Sequence, residues 1–460
     1  MTAALDEWAP AHRVSAPASR APALRVGAIP VLLLIGAGAV AVVGLWWYNT
    51  TAIRGVGDWL TNAGRITGLL AGYAVVVLLG LMARVPALER GVGTDRLTRW
   101  HSMGGRYVVS LVVAHAALIT WGYAITARTG VVDQGLSLIM DYKYVMLATI
   151  GGVLFVVVGI ASARAARKKM SYEIWHIIHF VTYIAIALAF LHQFSVGADF
   201  AGNKPVQIIW TSFYVAAFGL LAWYRVVVPL RQSARHQLRV QGVRMEGPDV
   251  VSVYLVGRNL HELKAEPGQF FRWRFLTKDS WWASNPYSLS APVSGGMLRI
   301  TVKQAGHHSA SVGRMLPGTR VMASGPYGAF TGGVRRRRKV LLIGAGVGIT
   351  PLRALLETLP ARPGDLTLIY RARKMTDLVL RSEIERIAYD RGARIHYLVG
   401  TRDQLGGDPL SADQLDRLVP NLRHHDVYLC GPTPLTSATT QTLREAGVPR
   451  RRIHHESFEF

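Results

Sequence analysis

Four histidines lie within two long apolar stretches: His101 and His115 in Trp100–Ala127, and His179 and His192 in His176–Val196. An ionisable ring in such a stretch needs a partner and therefore marks function. At 1.5 Å per residue, steps of fourteen and thirteen residues separate the members of each pair by about 20 Å along a helix. Two pairs at matched depth suit four axial imidazoles on two bis-histidine haems inside a hydrocarbon core about 30 Å thick. Fourteen residues return nearly to the same helix face, about 40° off, but thirteen leave about 140°. The second stretch therefore demands tilt, local unwinding or a rotated outer haem. His176 competes with His179 as a ligand, although its sixteen-residue step to His192 is no better, at about 160°. Arg65 and Arg84 bracket another apolar stretch. Two readings stand for them: one cation for the propionates of each haem, or snorkelling arginines at the interface.

A second set of motifs follows. In Asn285-Pro286-Tyr287-Ser288-Leu289-Ser290 an aromatic precedes a small hydroxyl. That order suits a flavin, with Tyr287 stacked on the ring and Ser288 hydrogen-bonding near its reactive nitrogen. Lys303 ends a nearby β-type run and is a further cofactor contact. Gly306-His-His-Ser309 offers backbone N–H groups and a hydroxyl to a pyrophosphate, and Gly325-Pro-Tyr-Gly328 marks a tight turn. Gly344-Ala-Gly346-Val-Gly348-Ile-Thr350-Pro351 follows a strand and opens a helix, whose N-terminus attracts phosphates. Its spacing differs from G-x-G-x-x-G, and no acidic ribose-binding residue follows at the usual distance. Arg371, Arg373 and Lys374 stand there instead, which suits a 2′-phosphate and favours NADPH over NADH. Leu429-Cys430-Gly431-Pro432-Thr433 ends a later strand. It would place Cys430 where hydride leaves the nicotinamide, the other reading being a buried core cysteine. Phe460, the last residue, is placed to cover the flavin face until nicotinamide displaces it.

The elements that must hold these groups can be read from hydropathy and charge. Apolar spans run at about 26–48, 65–85, 100–127, 144–163, 176–196 and 207–228, each near the length that crosses a bilayer. Arginines and lysines crowd alternate loops: Arg84, Arg90, Arg96 and Arg99; Arg164, Arg167, Lys168 and Lys169; Arg225, Arg231 and Arg235. Arg54, Arg128, Lys143 and Lys204 are all that the other loops hold. This bias puts both termini in the cytoplasm, with His101 and His179 near the inner face and His115 and His192 further out. The net charge of +24 fits a membrane surface and anionic cofactors, with no motif for nucleic acid. The single cysteine excludes a disulfide framework, a cysteine-ligated cluster and covalent haem. Four regions result: a disordered tail (1–24), six membrane helices (25–230), an antiparallel flavin barrel (231–333) and an α/β nucleotide domain with a parallel sheet (334–460).

In their combined order these motifs resemble the ferric reductase and NADPH oxidase superfamily over nearly the whole chain after residue 25, and the second half resembles ferredoxin–NADP reductases. The resemblance implies FAD in the barrel, NAD(P)H in the terminal domain and two haems b. His101 with His179 would hold the inner haem, and His115 with His192 the outer. It further implies a multi-pass plasma-membrane enzyme that reduces a small acceptor, Fe(III) chelate or oxygen, with electron donation to a periplasmic protein as the alternative. Two positions depart from the family: Asn285 replaces the Arg or His that opens the flavin motif, and Ile119 occupies the place of an oxygen-site histidine.

Overall fold

The computed structural model describes residues 26–51, 53–167, 169–170 and 172–458; the N-terminal tail and Phe460 lie outside the described residues. The described chain falls into two compact units, one of Arg25–Val226 and one from Val227 onward.

In the first unit, six helices are long and apolar enough to cross a membrane. They are α1 (Ala28–Tyr48), α2 (Val56–Leu81), α3 (Thr94–Ala127), α4 (Val145–Ser162), α5 (Tyr172–Val196) and α6 (Lys204–Ala222). A helix satisfies its backbone internally, which hydrocarbon requires. Large apolar side chains face outward: Leu33, Val153, Ile177 and Ile208 are all more than half exposed. Between the helices Leu69, Leu79, Val108, Phe155, Ile186 and Trp210 form the core. Pro205 stands in the first turn of α6, and Asn203 caps it by accepting from the Val206 N–H at 3.3 Å.

The expected six spans are all present with shifted ends, the largest shift being at the start of α2. α2 begins at Val56, so Arg65 lies inside the helix and not at its end. The polar residues Thr61, Asn62 and Arg65 hid this start, and the carboxylate that Arg65 pairs with, Asp199, lies 134 residues away.

The second unit opens with α7 (Val228–His236), followed by six strands: β1 (Arg239–Gly247), β2 (Val250–Val256), β3 (Phe270–Phe275), β4 (Asn285–Ser288), β5 (Met297–Lys303) and β6 (Val321–Tyr327). They form two antiparallel three-stranded sheets, β1-β2-β5 and β4-β3-β6. Strict alternation in β3 buries Phe271, Trp273 and Phe275 against Leu255, Leu298 and Ile300 of the other sheet. The expected antiparallel barrel takes the form of two sheets that do not close on each other. Only the isolated bridges Arg239↔Arg320 and Leu289↔Ile300 join the sheets at their corners, so the hydrogen-bonded ladder does not close. A short helix, α8 (His307–Val312), follows β5.

The remainder is an α/β layer: β7 (Val340–Ala345), α9 (Ile349–Thr358), β8 (Leu366–Ala372), α10 (Arg381–Arg391), β9 (Arg394–Val399), β10 (Asp426–Pro432), α11 (Thr433–Glu445) and β11 (Ile453–Phe458). Its five strands are parallel in the order β11-β10-β7-β8-β9. Two separate apolar clusters, one containing Leu342 and Leu368 and one containing Leu341 and Ile369, show that both faces are covered. The strand order reverses between β7 and β10, which opens a crevice beyond their carboxyl ends.

Candidate functional site

α2 and α3 together position the first histidine pair members. His115 Nδ1 meets the Gly64 carbonyl at 2.8 Å, and His101 Nδ1 meets the Leu78 carbonyl at 3.3 Å. The fourteen-residue step between the histidines is thus matched by the same step between their acceptors on the antiparallel neighbour. On α5, His192 Nδ1 meets the Ala189 carbonyl. His179 stacks on Trp175 with ring centres 5.1 Å apart, and its buried Nδ1 lacks a hydrogen-bond partner. A carbonyl that holds Nδ1 fixes the ring and leaves Nε2 as the nitrogen for a metal.

The rings then meet in the expected pairs. The centres of His101 and His179 are 5.9 Å apart, and those of His115 and His192 are 6.2 Å apart. Two metal–nitrogen bonds of about 2 Å each, with the ring radius added on both sides, require nearly this separation for trans imidazoles. The pairs therefore fit one iron each. Among the described residues no group of three or more His, Cys, Asp or Glu could hold a metal ion, so each imidazole pair stands without a third side-chain ligand. His176 packs against Trp175 and Phe180, and the ring opposite His101 is that of His179. The thirteen-residue step in α5 does not prevent pairing: shared evenly, its offset sets each ring about 70° either side of the line facing α3.

Gly68 makes room for His115, because a Cβ there would lie 2.6 Å from the ring. Gly68→Ala should therefore dislodge the His115 ring and, on the haem reading proposed below, cost one haem per chain. Gly80→Ala, in the same helix with open space around it, should keep full haem content and gain about 0.5–1 kcal/mol of stability. Pyridine haemochrome assay and thermal unfolding check both.

Arg65 is not placed as expected. Its guanidinium donates to both carboxylate oxygens of Asp199, at 2.7 and 3.3 Å, and to Asn62 Oδ1 at 2.8 Å. Asn49 Nδ2 also donates to Asp199, at 3.2 Å. The Arg65 charge is thus neutralised by a carboxylate from the segment after α5. An arginine inside an apolar span predicts such a partner, and Asp199 is the acidic residue that the sequence reading passed over. Arg84 follows α2 and pairs with Glu89 at 3.5 Å.

In the second unit a shallow cleft is lined by Pro286, Tyr287, Ser288, Thr301, Val302, Lys303, Val347 and Thr350. The proposed flavin motif and the Gly-rich turn thus share a single cavity. Ser288 Oγ is buried without a partner, an orphan that a flavin ring edge would satisfy. Asn285 opens β4, which pairs with β3 and puts Ser288 opposite Phe270. Tyr287 is nearly buried, which pushes its phenol above the usual range. Lys303 pairs with Asp249 at 3.3 Å while still lining the cleft.

The Gly-rich turn sits at the switch point. Gly348 needs to be glycine: a Cβ would lie 2.3 Å from the Cys430 carbonyl oxygen, where turn and strand β10 press together. Gly346 takes a φ of +54°, which glycine adopts without strain. Gly344 lies at the end of β7, Thr350 donates to the Val347 carbonyl at 2.9 Å, and Pro351 is buried in α9. Gly431 is buried, while Pro432 at the end of β10 is exposed.

Three expectations need correcting here. Ser309 Oγ accepts from the Gly306 N–H at 2.9 Å, so these two groups satisfy each other and are not held out for a pyrophosphate. Arg371 donates to the carbonyls of Leu398 at 2.9 Å and Gly400 at 2.6 Å. It fastens β8 to β9, which leaves Arg373 and Lys374 as the exposed cations after β8. Cys430 is fully buried in the core, which pushes its thiol well up, with Glu456 adding to the effect. It therefore presents no thiol to the cleft in this conformation. Gly325, within β6, and Gly328, just after it, both have positive φ and back onto Phe271 and Phe270.

Six apolar helices followed by a reductase-type lobe define a multi-pass membrane oxidoreductase. Residues 67–190 match the family model described as ferric reductase like transmembrane component, and residues 342–441 match the oxidoreductase NAD-binding domain. The chain thus joins a stretch similar to the ferric reductase transmembrane component to one similar to the oxidoreductase NAD-binding domain. Curated relatives match its second half. The ferredoxin reductase component of 3-ketosteroid-9-alpha-monooxygenase from Rhodococcus rhodochrous is 29% identical, over 48% of this chain and 64% of that protein. A flavohemoprotein from Vibrio cholerae is 31% identical, over 43% of this chain and 52% of that protein. The chain therefore spans between about half and two thirds of these relatives. The FAD/NAD-binding domain of nitric oxide dioxygenase from Vibrio cholerae, a solved structure, is 26% identical with a TM-score of 0.42, covering 49% of this chain and 99% of that one.

Proposed function

We propose that this protein carries electrons from cytoplasmic NADPH through FAD and two b-type haems to an acceptor on the outer face of the plasma membrane. The observation that carries the reading is the pair of imidazole pairs, spaced for two irons, in a chain whose other unit unites a flavin-type motif and a Gly-rich turn around one cleft. When bound, FAD would accept hydride and release single electrons, and the haems would carry those electrons across the bilayer.

The residues present the right groups for this task. The Ser288 hydroxyl awaits a polar ring edge. The Gly-rich turn brings backbone N–H groups and the start of α9 to the nucleotide phosphates. Arg373 and Lys374 stand where a 2′-phosphate would discriminate NADPH from NADH. Arg373→Ala should raise the KM for NADPH about tenfold, the worth of one charge-assisted hydrogen bond, and leave that for NADH unchanged. Steady-state kinetics with both nucleotides checks this.

The surroundings of His115 support Fe(III) chelate over oxygen as the acceptor. Ile119, one turn beyond His115, offers no polar contact and packs where Gly64 leaves space, while Arg65 is committed to Asp199. Loop charge supports cytoplasmic termini. The spectrum tests the reading: haem-replete expression should give a reduced-minus-oxidised difference of low-spin bis-imidazole iron, two haems per chain. A preparation without haem absorbance would overturn it.

A further inference from the structure

A buried chain of charges joins the two cofactor motifs of the second unit. Arg299, in β5, sends Nε to Ser290 Oγ at 3.0 Å and Nη2 to the Ser290 carbonyl at 2.8 Å. Ser290 is the last residue of the flavin motif. The same guanidinium meets both oxygens of Glu383, at 2.9 and 3.3 Å. Glu383 stands in the first turn of α10, where a carboxylate is favoured. Its other contact is Arg353, which in turn pairs with Glu357. Arg353 lies two residues beyond Pro351, on the helix that the Gly-rich turn opens. The side chains of Arg353, Arg299 and Glu383 are 1%, 4% and 17% exposed, so solvent screens them little. Burial opposes the Glu383 charge, yet Arg353 and Arg299 together hold its carboxyl below the usual range.

Buried ion pairs are costly, and apolar residues often replace them without loss of stability. What distinguishes this one is where its ends lie. One end grips the backbone of the flavin segment, and the other belongs to the nucleotide helix. We propose that Glu383 is a positioning residue for hydride transfer: through Arg299 and Arg353 it fixes the Asn285–Ser290 segment against the Gly344–Pro351 turn. The inference rests on reading this unit as an NADPH–flavin reductase. Hydride transfer tolerates little misplacement, since the reacting atoms must approach within about 3–3.5 Å.

The test is anaerobic rapid mixing of the purified full-length protein, loaded with FAD, with NADPH. In Glu383→Gln the limiting rate of flavin reduction should fall about ten- to a hundredfold. The NADPH concentration for half-saturation should stay unchanged, and the nicotinamide–flavin charge-transfer absorbance should weaken. Arg299→Lys keeps a buried cation beside Glu383 but loses the fork to Ser290 and the two-point grip on Glu383, so it should show the same split if Glu383→Gln fails to load FAD. A merely structural role lowers the melting temperature and FAD content but leaves the FAD-loaded fraction reducing at the wild-type rate. That result in either variant overturns the inference. A wild-type flavin that NADPH does not reduce overturns the underlying reading, and the inference with it.

Discussion

Replacing His115 or His192 with alanine should leave one haem per chain, abolish reduction of an external acceptor and spare NADPH-driven flavin reduction. Each substitution removes one imidazole of a pair whose ring centres lie 6.2 Å apart. His101→Ala or His179→Ala should also remove one haem, but from the inner position, so the remaining outer haem should stay oxidised when NADPH is supplied. Haem quantification with stopped-flow absorbance separates these outcomes. The His115 and Gly68 variants should share a phenotype, because both deprive the outer site of the same ring. Retention of both haems in His115→Ala would remove the basis of the pairing.

Gly348→Val should have the opposite pattern. A Cβ at this position meets a backbone carbonyl of β10 at 2.3 Å, and a strand in the middle of a parallel sheet cannot yield. The turn must shift instead, which displaces the backbone groups that face the nucleotide. Flavin reduction by NADPH should fall about a hundredfold, as expected for a reactant misplaced by about 1 Å, with overpacking lowering stability by about 1–3 kcal/mol. Dithionite should still reduce both haems with an unaltered spectrum. Stopped-flow reduction by NADPH and by dithionite, on the same sample, tests the contrast.

Much of this architecture could be read from the residues, for identifiable reasons. Apolar length revealed all six membrane helices, and histidine is rare enough in such helices that four of them carried a message. What escaped depends on tertiary partners. Arg65 and Asp199 are 134 residues apart, and hydropathy cannot pair them. Because Arg65 looked like a helix terminus, its span was begun nine residues late. Arg371 follows a strand just as a 2′-phosphate ligand would, yet carbonyls at the end of β9 take its donors. Cys430 sits in the expected motif, but the packing of the Gly-rich turn on β10 encloses it. The Arg299–Glu383–Arg353 chain brings together three distant segments, none of which carries a motif for it. α11 and β11 were also missed, since Thr-rich and His-His-Glu sequences lack a clear apolar period.

The proposed electron flow is vectorial. It is tested most directly in sealed proteoliposomes that hold a membrane-impermeant Fe(III) chelate inside, with NADPH added outside under anaerobic conditions. For molecules whose second unit faces outward, the account predicts that both haems become reduced and that Fe(II) then accumulates within the vesicles. It further predicts that the internal signal is lost in His115→Ala while flavin reduction persists. NADPH oxidation without haem reduction, or internal Fe(II) undiminished in His115→Ala, would contradict it.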